Sequence, residues 1–219
     1  MSMKIKAGEI FSLRDENRPV PGCTVSSVLT SGSVSSWVFS LAENTDISAE
    51  IYPYHKLIIM LSGELNVFTD KASLGLLHEG DAVLTPADIP LGMKAERPAI
   101  YTEISIRRDY FMNSAIKPGE IFKLAELLPT EEGKIVNMDV AHSDKMKFAL
   151  MSFGSGTGLD EHAAPGQALI FALEGEGTIV YEGKEYPIKA GENFSFAKGG
   201  MHAVKAAKPF KMALFLTLE

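Results

Sequence analysis

Cysteine is almost absent from the sequence, which has 219 residues and a single cysteine, Cys23. An intrachain disulfide is therefore excluded. The sequence also has no apolar run of about 18 residues, so it predicts no membrane-spanning helix. Its first residues lack the apolar core of a secretory signal peptide. These absences favour a cytoplasmic protein without a membrane partner.

Positive charge is in deficit, because 21 Lys and Arg residues face 28 Asp and Glu residues and the formal net charge is −7. A protein that binds nucleic acid usually shows a basic patch or stripe. The composition therefore predicts no nucleic-acid partner. With 46% apolar and 22% charged residues, the chain has the composition of an ordinary globular protein.

Helical periodicity is also scarce. The best helix candidate covers residues 121–128 and ends before Pro129. Most of the chain consists of short apolar and β-branched segments separated by Gly, Pro and Ser. Many short strands with turn signals at regular spacing predict an all-β sandwich or barrel. One of these turns, Glu182-Gly183, is a strong hairpin signal.

The sequence contains an internal repeat. Residues 5–12 read IKAGEIFS and residues 116–123 read IKPGEIFK, which is a separation of 111 residues. Gly80 and Gly191 have the same separation. Agreement over such a distance indicates a tandem duplication.

The boundary between the two copies lies near residues 107–116. This segment begins with a charge cluster that follows a predicted strand, and it continues with aromatic and apolar residues. We therefore predict two domains, residues 1–112 and residues 113–219.

In the second copy, residues 156–175 combine a histidine, a turn and an apolar run. His162 lies in a predicted strand, Pro165-Gly166 supplies the turn, and the apolar residues 169–173 follow. We predict two short antiparallel strands joined by this turn, so that residues 169–173 pair with the segment that holds His162.

The spacing of glycines and histidines in the second copy resembles that of the cupin superfamily, whose two motifs carry metal ligands. The residues that carry the resemblance are Gly156, His162 and Gly175 in the first motif and Gly191, Gly199 and His202 in the second. Together with the internal repeat, the chain resembles a bicupin. The resemblance implies an all-β fold of two tandem cupin barrels, each a double-stranded β-helix or jelly roll.

The resemblance also implies which residues would bind a metal ion. The second copy keeps two of the family's four ligands, His162 and His202, whereas Ala164 and Ala168 take the positions of the others. Gln167 lies one residue before the vacant glutamate position. One hypothesis is that His162, His202 and Gln167, with water or a substrate, hold one divalent transition metal ion, such as zinc, iron, manganese or nickel. The alternative is a polar ligand pocket without metal.

The first copy has lost the family's ligands altogether. Glu50 takes the place of His162, and Lys56 takes the place of Ala168. We expect Glu50 and Lys56 to face each other, so that an ion pair replaces the metal. His55 takes the place of Gln167 and would bind a ligand together with Glu50. The other interpretation is that this copy is purely structural.

Two classes of function follow from these motifs. The first is a metal-dependent enzyme of the oxygenase or isomerase type, with a small-molecule substrate in the second copy. The alternative is a protein that binds or senses a small molecule without catalysis and without metal. A monomer and a homodimer both fit the sequence.

Overall fold

A computed structural model describes residues 5–30 and 34–218. The strands of the first half are β1 (Ile10–Phe11), β2 (Thr24–Val28), β3 (Ser36–Leu41), β4 (Thr45–Ile51), β5 (His55–Thr69), β6 (Ser73–His78), β7 (Asp81–Leu84), β8 (Pro90–Ala95), β9 (Ala99–Ile106) and β10 (Phe111–Met112). Those of the second half are β11 (Ile121–Lys123), β12 (Ile135–His142), β13 (Met146–Phe153), β14 (Thr157–Ala163), β15 (Gln167–Tyr181), β16 (Lys184–Lys189), β17 (Asn193–Phe196), β18 (Met201–Ala206) and β19 (Phe210–Thr217). This inventory confirms the predicted all-β class.

Helices contribute little to the part of the chain that the structure describes. They are α1 (Leu13–Glu16) and a single 3-10 turn at Leu124–Glu126. Neither is long and apolar enough to cross a membrane. The helix predicted for residues 121–128 is wrong, because its first residues form β11 and only the 3-10 turn follows.

The described residues form two compact units. The N-terminal unit contains residues 13–123, and the C-terminal unit contains residues 5–12 and 124–218. The main antiparallel sheet of the N-terminal unit has the order β11-β7-β5-β9-β3-β2, and that of the C-terminal unit has the corresponding order β1-β17-β15-β19-β13-β12. A smaller sheet completes each barrel, β6-β5-β8-β4 in the first unit and β16-β15-β18-β14 in the second.

The repeated opening segments form the edge strands β1 and β11. β1 pairs with β17 of the C-terminal unit, and β11 pairs with β7 of the N-terminal unit. Each repeated segment therefore completes the sheet of the other copy. The two units therefore divide the chain differently from the prediction, which placed the boundary between residues 112 and 113. Residues 5–12 belong to the C-terminal unit and residues 113–123 belong to the N-terminal unit, because each segment contains a strand that pairs with the sheet of that unit. The residue pattern does not show this pairing.

One long strand in each unit belongs to both sheets. The first part of β5 pairs with β7 and β9, and its second part pairs with β6 and β8. The sequence pattern predicts a break at Ser62-Gly63, but the strand continues through this point. An irregularity in register between Met60 and Ser62 bends it instead, since a bulge turns a strand without ending it.

The segment that holds His162 does not pair with residues 169–173, so that prediction is wrong. β14 pairs with β18, whereas the first part of β15 has β17 on one edge and β19 on the other. Both edges of β15 are therefore already occupied. The hairpin across Glu182-Gly183 is confirmed, with β15 and β16 paired on either side of it.

Buried apolar side chains fill each barrel. In the N-terminal unit they include Ile58, Met60, Val67, Leu91 and Tyr101. In the C-terminal unit they include Ile170, Phe194, Phe196, Phe210 and Met212. Because removal of apolar surface from water drives folding, these side chains form a core within each barrel.

A glycine at the bend of the long strand has the same conformation in both units. Gly63 has φ of 81° and Gly175 has φ of 75°. A Cβ atom would lie 1.9 Å from the carbonyl oxygen of Pro98 at the first position and 2.1 Å from that of Pro209 at the second. Each site therefore needs glycine for its backbone conformation and for the space it leaves.

We expect Gly175→Ala to destabilise the protein more than Gly183→Ala, which is a matched control. Gly183 has φ of 74° and no atom within 4 Å of a Cβ, so only the cost of the left-handed backbone, about 1–2 kcal/mol, applies there. At Gly175 the clash with Pro209 should add about 1–3 kcal/mol. Urea unfolding of both variants measures the difference, and equal losses would contradict the steric argument.

Candidate functional site

Main-chain pairing brings His162 and His202 face to face. The two residues are register partners across β14 and β18. Between Leu159 and His162 the register shifts by one residue, so three steps on β14 match two steps on β18. Residues three apart on a regular strand point to opposite faces, but this bulge returns His162 to the face of Leu159. The bulge therefore directs His162 toward His202.

The two imidazole rings contact each other in a tilted arrangement at the edge of the barrel interior. Their centroids lie 4.2 Å apart, with 52° between the ring planes. On its other side, His202 contacts Phe196, with ring centroids 4.1 Å apart. His202 is buried and His162 is exposed. The pair thus leads from the surface to the apolar core.

Backbone carbonyl groups orient both rings. Nδ1 of His162 lies 2.8 Å from the carbonyl oxygen of Asp160, and Nδ1 of His202 lies 3.2 Å from that of Gly200. Because a carbonyl oxygen only accepts hydrogen bonds, each Nδ1 carries the proton and donates it. The Nε2 atom of each ring is then available to a ligand.

The charge state of His202 follows from its burial. Burial lowers the pKa of the His202 imidazole, and a positive charge on His162 lowers it further, whereas the hydrogen bond to Gly200 raises it. The net shift is downward. His202 is therefore neutral at neutral pH, and its Nε2 atom is an acceptor.

Ala164 and Ala168, at the two vacated ligand positions, offer no donor atom. Ala164 and Ala168 are buried in the apolar core of the C-terminal unit. Gln167 begins β15, where its main-chain carbonyl accepts a hydrogen bond from Thr217 Oγ1. Alternation along the strand places its side chain on the face opposite Ala168. The strand register therefore gives no support to Gln167 as a metal ligand.

Two imidazoles do not fit a resident transition metal ion. Catalytic zinc sites usually have about three protein ligands. Among the described residues, no group of three or more His, Cys, Asp or Glu side chains could hold a metal ion. The donor set of the C-terminal unit is thus better suited to hydrogen bonding than to tight metal binding.

The corresponding position of the N-terminal unit has the same backbone and different chemistry. The register of β4 and β8 shifts between Ile47 and Glu50, and Glu50 is the partner of Leu91. The predicted ion pair between Glu50 and Lys56 is wrong. Glu50 Oε2 accepts a hydrogen bond from the Tyr52 hydroxyl at 2.5 Å, and Lys56 pairs with a different carboxylate.

Lys56 forms a buried ion pair with Glu103, a residue that the sequence analysis missed. The distance from Lys56 Nζ to Glu103 Oε2 is 2.9 Å, and the two side chains are 9% and 6% exposed. The ammonium group also lies 3.7 Å from the centroid of the Tyr52 ring. The sequence does contain a signal for this pair. Glu103 is a charged residue two positions after Tyr101 in a strand, β9, that is otherwise uncharged.

Burial dominates the ionisation of this cluster. It raises the pKa of the Glu103 carboxyl, and the Lys56 ammonium offsets part of the rise. Burial also raises the pKa of the Tyr101 phenol. The pKa of Tyr52 is raised by burial and by its hydrogen bond to the Glu50 carboxylate. Both phenols therefore remain protonated at neutral pH.

The structure does not bring His55 and Glu50 together. Nδ1 of His55 lies 2.7 Å from the carbonyl oxygen of Thr85, and alternation on β5 places its side chain on the face opposite Lys56. His55 instead lines a surface cavity of about 390 Å³ with residues such as Ile106 and Arg107. A ligand shared by His55 and Glu50 has no support in this arrangement.

Comparison with known proteins agrees with this fold. Residues 149–217 match the family model described as "Cupin domain". No curated protein matches the chain. The chain is similar to the solved structure of a Cupin 2 conserved barrel domain protein from Leptotrichia buccalis, with 26% identity, a TM-score of 0.87, and coverage of 99% of this chain and 100% of that one.

Two further solved structures share the fold at lower identity. AerE from Microcystis aeruginosa is 16% identical, with a TM-score of 0.56 and coverage of 91% of this chain and 95% of that one. A variant of salicylate 1,2-dioxygenase from Pseudoaminobacter salicylatoxidans, in complex with gentisate, is 11% identical, with a TM-score of 0.61 and coverage of 84% and 68%.

The C-terminal unit is a cupin domain, and the chain is a cupin-fold protein. The resemblance to the cupin superfamily is therefore confirmed. The bicupin arrangement rests on the fold of the N-terminal unit, because the residues matched by the family model lie in the C-terminal unit.

We expect the free energy of unfolding to fall as the pH drops below about 6.5, the ordinary histidine pKa, in part because of His202. Since folding lowers the pKa of His202, the unfolded chain binds a proton first and acid favours unfolding. Above the ordinary pKa both states are neutral and this contribution is fully retained.

Urea unfolding at about pH 7.5 and about pH 5.5 checks this pH dependence. His202→Asn has no titrating ring and should lose less stability over the interval than the wild type. Equal losses in the two proteins would show that His202 contributes nothing to the acid sensitivity.

Proposed function

We propose that the C-terminal unit binds a small organic molecule through the Nε2 atoms of His162 and His202, without a resident metal ion. The observation that carries the proposal is the facing pair of imidazoles, each held through Nδ1 by a carbonyl group. An isolated inward histidine is often just a satisfied core residue. Two in register, each with Nε2 turned away from its backbone partner, form a binding site.

The ligand group that fits is a hydrogen-bond donor. The neutral His202 imidazole, whose Nδ1 atom donates to Gly200, offers only a lone pair at Nε2, so a hydroxyl or an N–H group is favoured over a carboxylate. Phe196 beside His202, and the apolar core behind it, suit an apolar ligand body. Most small-molecule sites combine such an apolar lining with a few polar groups.

At the equivalent position of the N-terminal unit, the chain itself provides a phenolic hydroxyl. There the Tyr52 hydroxyl donates to Glu50, which stands at the position of His162. In the C-terminal unit Ala164 replaces the tyrosine, so the chain has no phenol at this position. A ligand hydroxyl would make the equivalent hydrogen bond to an imidazole acceptor.

A second candidate function is a weakly held divalent metal ion, such as zinc, iron, manganese or nickel, in a metal-dependent enzyme of the oxygenase or isomerase type. It is favoured by the Nδ1 hydrogen bonds, because metal-bound histidines usually donate their other ring N–H to such an acceptor. The fold is shared with a salicylate 1,2-dioxygenase solved with gentisate. With only two imidazole ligands, water or substrate would have to complete the coordination. For either candidate function, we propose a cytoplasmic protein that is a monomer or a homodimer.

We expect phenol to bind the C-terminal unit and benzoate not to bind it, because phenol donates an O–H whereas benzoate is acceptor-only. A nitrogen-15 NMR titration at about pH 7.5 follows the histidine ring signals. His162→Ala and His202→Ala should each weaken phenol binding about tenfold, the value of one hydrogen bond of about 1.4 kcal/mol. His78→Ala, an exposed histidine of β6, is the matched control and should bind as the wild type does. Equal binding of benzoate would contradict the proposed polarity.

Zinc titration separates the two candidate functions. If the site has no resident metal, we expect two results with Zn²⁺. Calorimetry should show no stoichiometric Zn²⁺ binding that depends on His162, and added Zn²⁺ should not raise the melting temperature. Stoichiometric binding that is lost in His162→Ala and kept in His78→Ala would favour the metal-dependent function instead.

A further inference from the structure

We infer that the N-terminal unit contains a binding site for a primary ammonium group, and that the chain's own Lys56 occupies it. The inference concerns the other unit and does not depend on the function proposed for the C-terminal one. The site is formed by three side chains, Glu103, Tyr52 and Glu50, which surround or support the Lys56 ammonium.

The two direct contacts of Lys56 Nζ are those that proteins use for free ammonium ligands. A carboxylate oxygen of Glu103 lies 2.9 Å away, and the Tyr52 ring centroid lies 3.7 Å away. A cation over an aromatic face is attracted by the ring's electrons, and the attraction grows where water is excluded. Both charged side chains are at least nine-tenths buried, so water competes weakly for either contact.

A second carboxylate strengthens the aromatic contact. The Tyr52 hydroxyl donates a hydrogen bond of 2.5 Å to Glu50 Oε2. A phenol that donates to a carboxylate becomes more electron-rich, and hydrogen bonds in such chains polarise one another. Glu50 therefore supports the cation through the ring, without direct contact with Lys56.

Lys56 does not use all the hydrogen-bonding capacity around it. Glu103 Oε1 and the Tyr101 hydroxyl are buried and have no hydrogen-bond partner. Tyr101 and Glu103 lie two residues apart on the same face of β9, and both face the barrel interior. An ammonium group has three donors. The site thus offers an ammonium more acceptors than the tethered lysine satisfies.

This cation site is restricted to the N-terminal unit. The positions of Tyr52 and Lys56 correspond to Ala164 and Ala168 in the C-terminal unit. The partner of Ile58 on β9 is Glu103, whereas the equivalent pair on β15 and β19 is Ile170 and Leu214. The N-terminal unit therefore has a site for a cation. In the wild type Lys56 occupies this site and prevents free amines from binding there.

Lys56→Ala tests the inference with n-propylammonium, which has the atoms that the substitution removes. We expect the melting temperature of Lys56→Ala to rise saturably with n-propylammonium chloride, by about 3–6 °C at ten times the dissociation constant. Sodium chloride at equal ionic strength and 1-propanol at equal concentration should not reproduce the rise. The wild type, whose site is filled, should show none.

Two double variants identify the side chains that bind the amine. Lys56→Ala with Glu103→Gln removes the carboxylate, and Lys56→Ala with Tyr52→Leu removes the ring; both should abolish the response. A response that survives Glu103→Gln, or a Lys56→Ala protein that responds no more to propylammonium than to sodium chloride, would overturn the inference.

The wild type supplies a second test that does not require Lys56→Ala to fold. Nitrogen-15 NMR at about pH 7 should show a Lys56 ammonium signal protected from solvent exchange, because Lys56 Nζ is buried and paired. Glu103→Gln should remove that signal, and a spectrum of the wild type without it would overturn the inference.

Discussion

The C-terminal site depends on one feature of main-chain pairing, the bulge in β14. Between Leu159 and His162 this strand carries one residue more than β18, and the extra residue turns His162 to the inner face. Carbonyl groups two residues earlier in the chain then orient the imidazoles of His162 and His202. The chemistry available to a ligand, two Nε2 atoms at the edge of an apolar core, therefore follows from backbone geometry.

The two units share this backbone geometry, but the side chains that it carries differ between them. The bulge recurs between Ile47 and Glu50 in the N-terminal unit. There the interior holds a buried charge pair and the Tyr101 phenol, with Tyr52 half-buried beside the lysine, whereas the C-terminal interior is apolar around its histidine pair. Buried ion pairs often contribute little net stability, so the Lys56–Glu103 pair is better explained by specific recognition of a cation than by a stabilising role. The same fold thus holds two sites of different polarity.

Local signals predicted the structure well where neighbouring residues determine it. The Glu182-Gly183 turn has both residues at positive φ, as a two-residue hairpin requires. Local signals failed where distant pairing decides. Residues 121–123 fit a helical pattern, yet they form a sheet edge beside β7. β5 continues through Ser62-Gly63, because pairing with strands of both sheets holds it on either side of the bend.

The sequence by itself determined the all-β class, the cupin spacing of glycines and the positions of His162 and His202, since turn chemistry and strand alternation are local properties. Only the tertiary structure decided that Lys56 pairs with Glu103, and that β14 pairs with β18 instead of β15. These outcomes depend on which strands become neighbours and in which register. A shift of one residue reverses the face of every side chain on a strand, and the residue pattern alone does not specify a bulge.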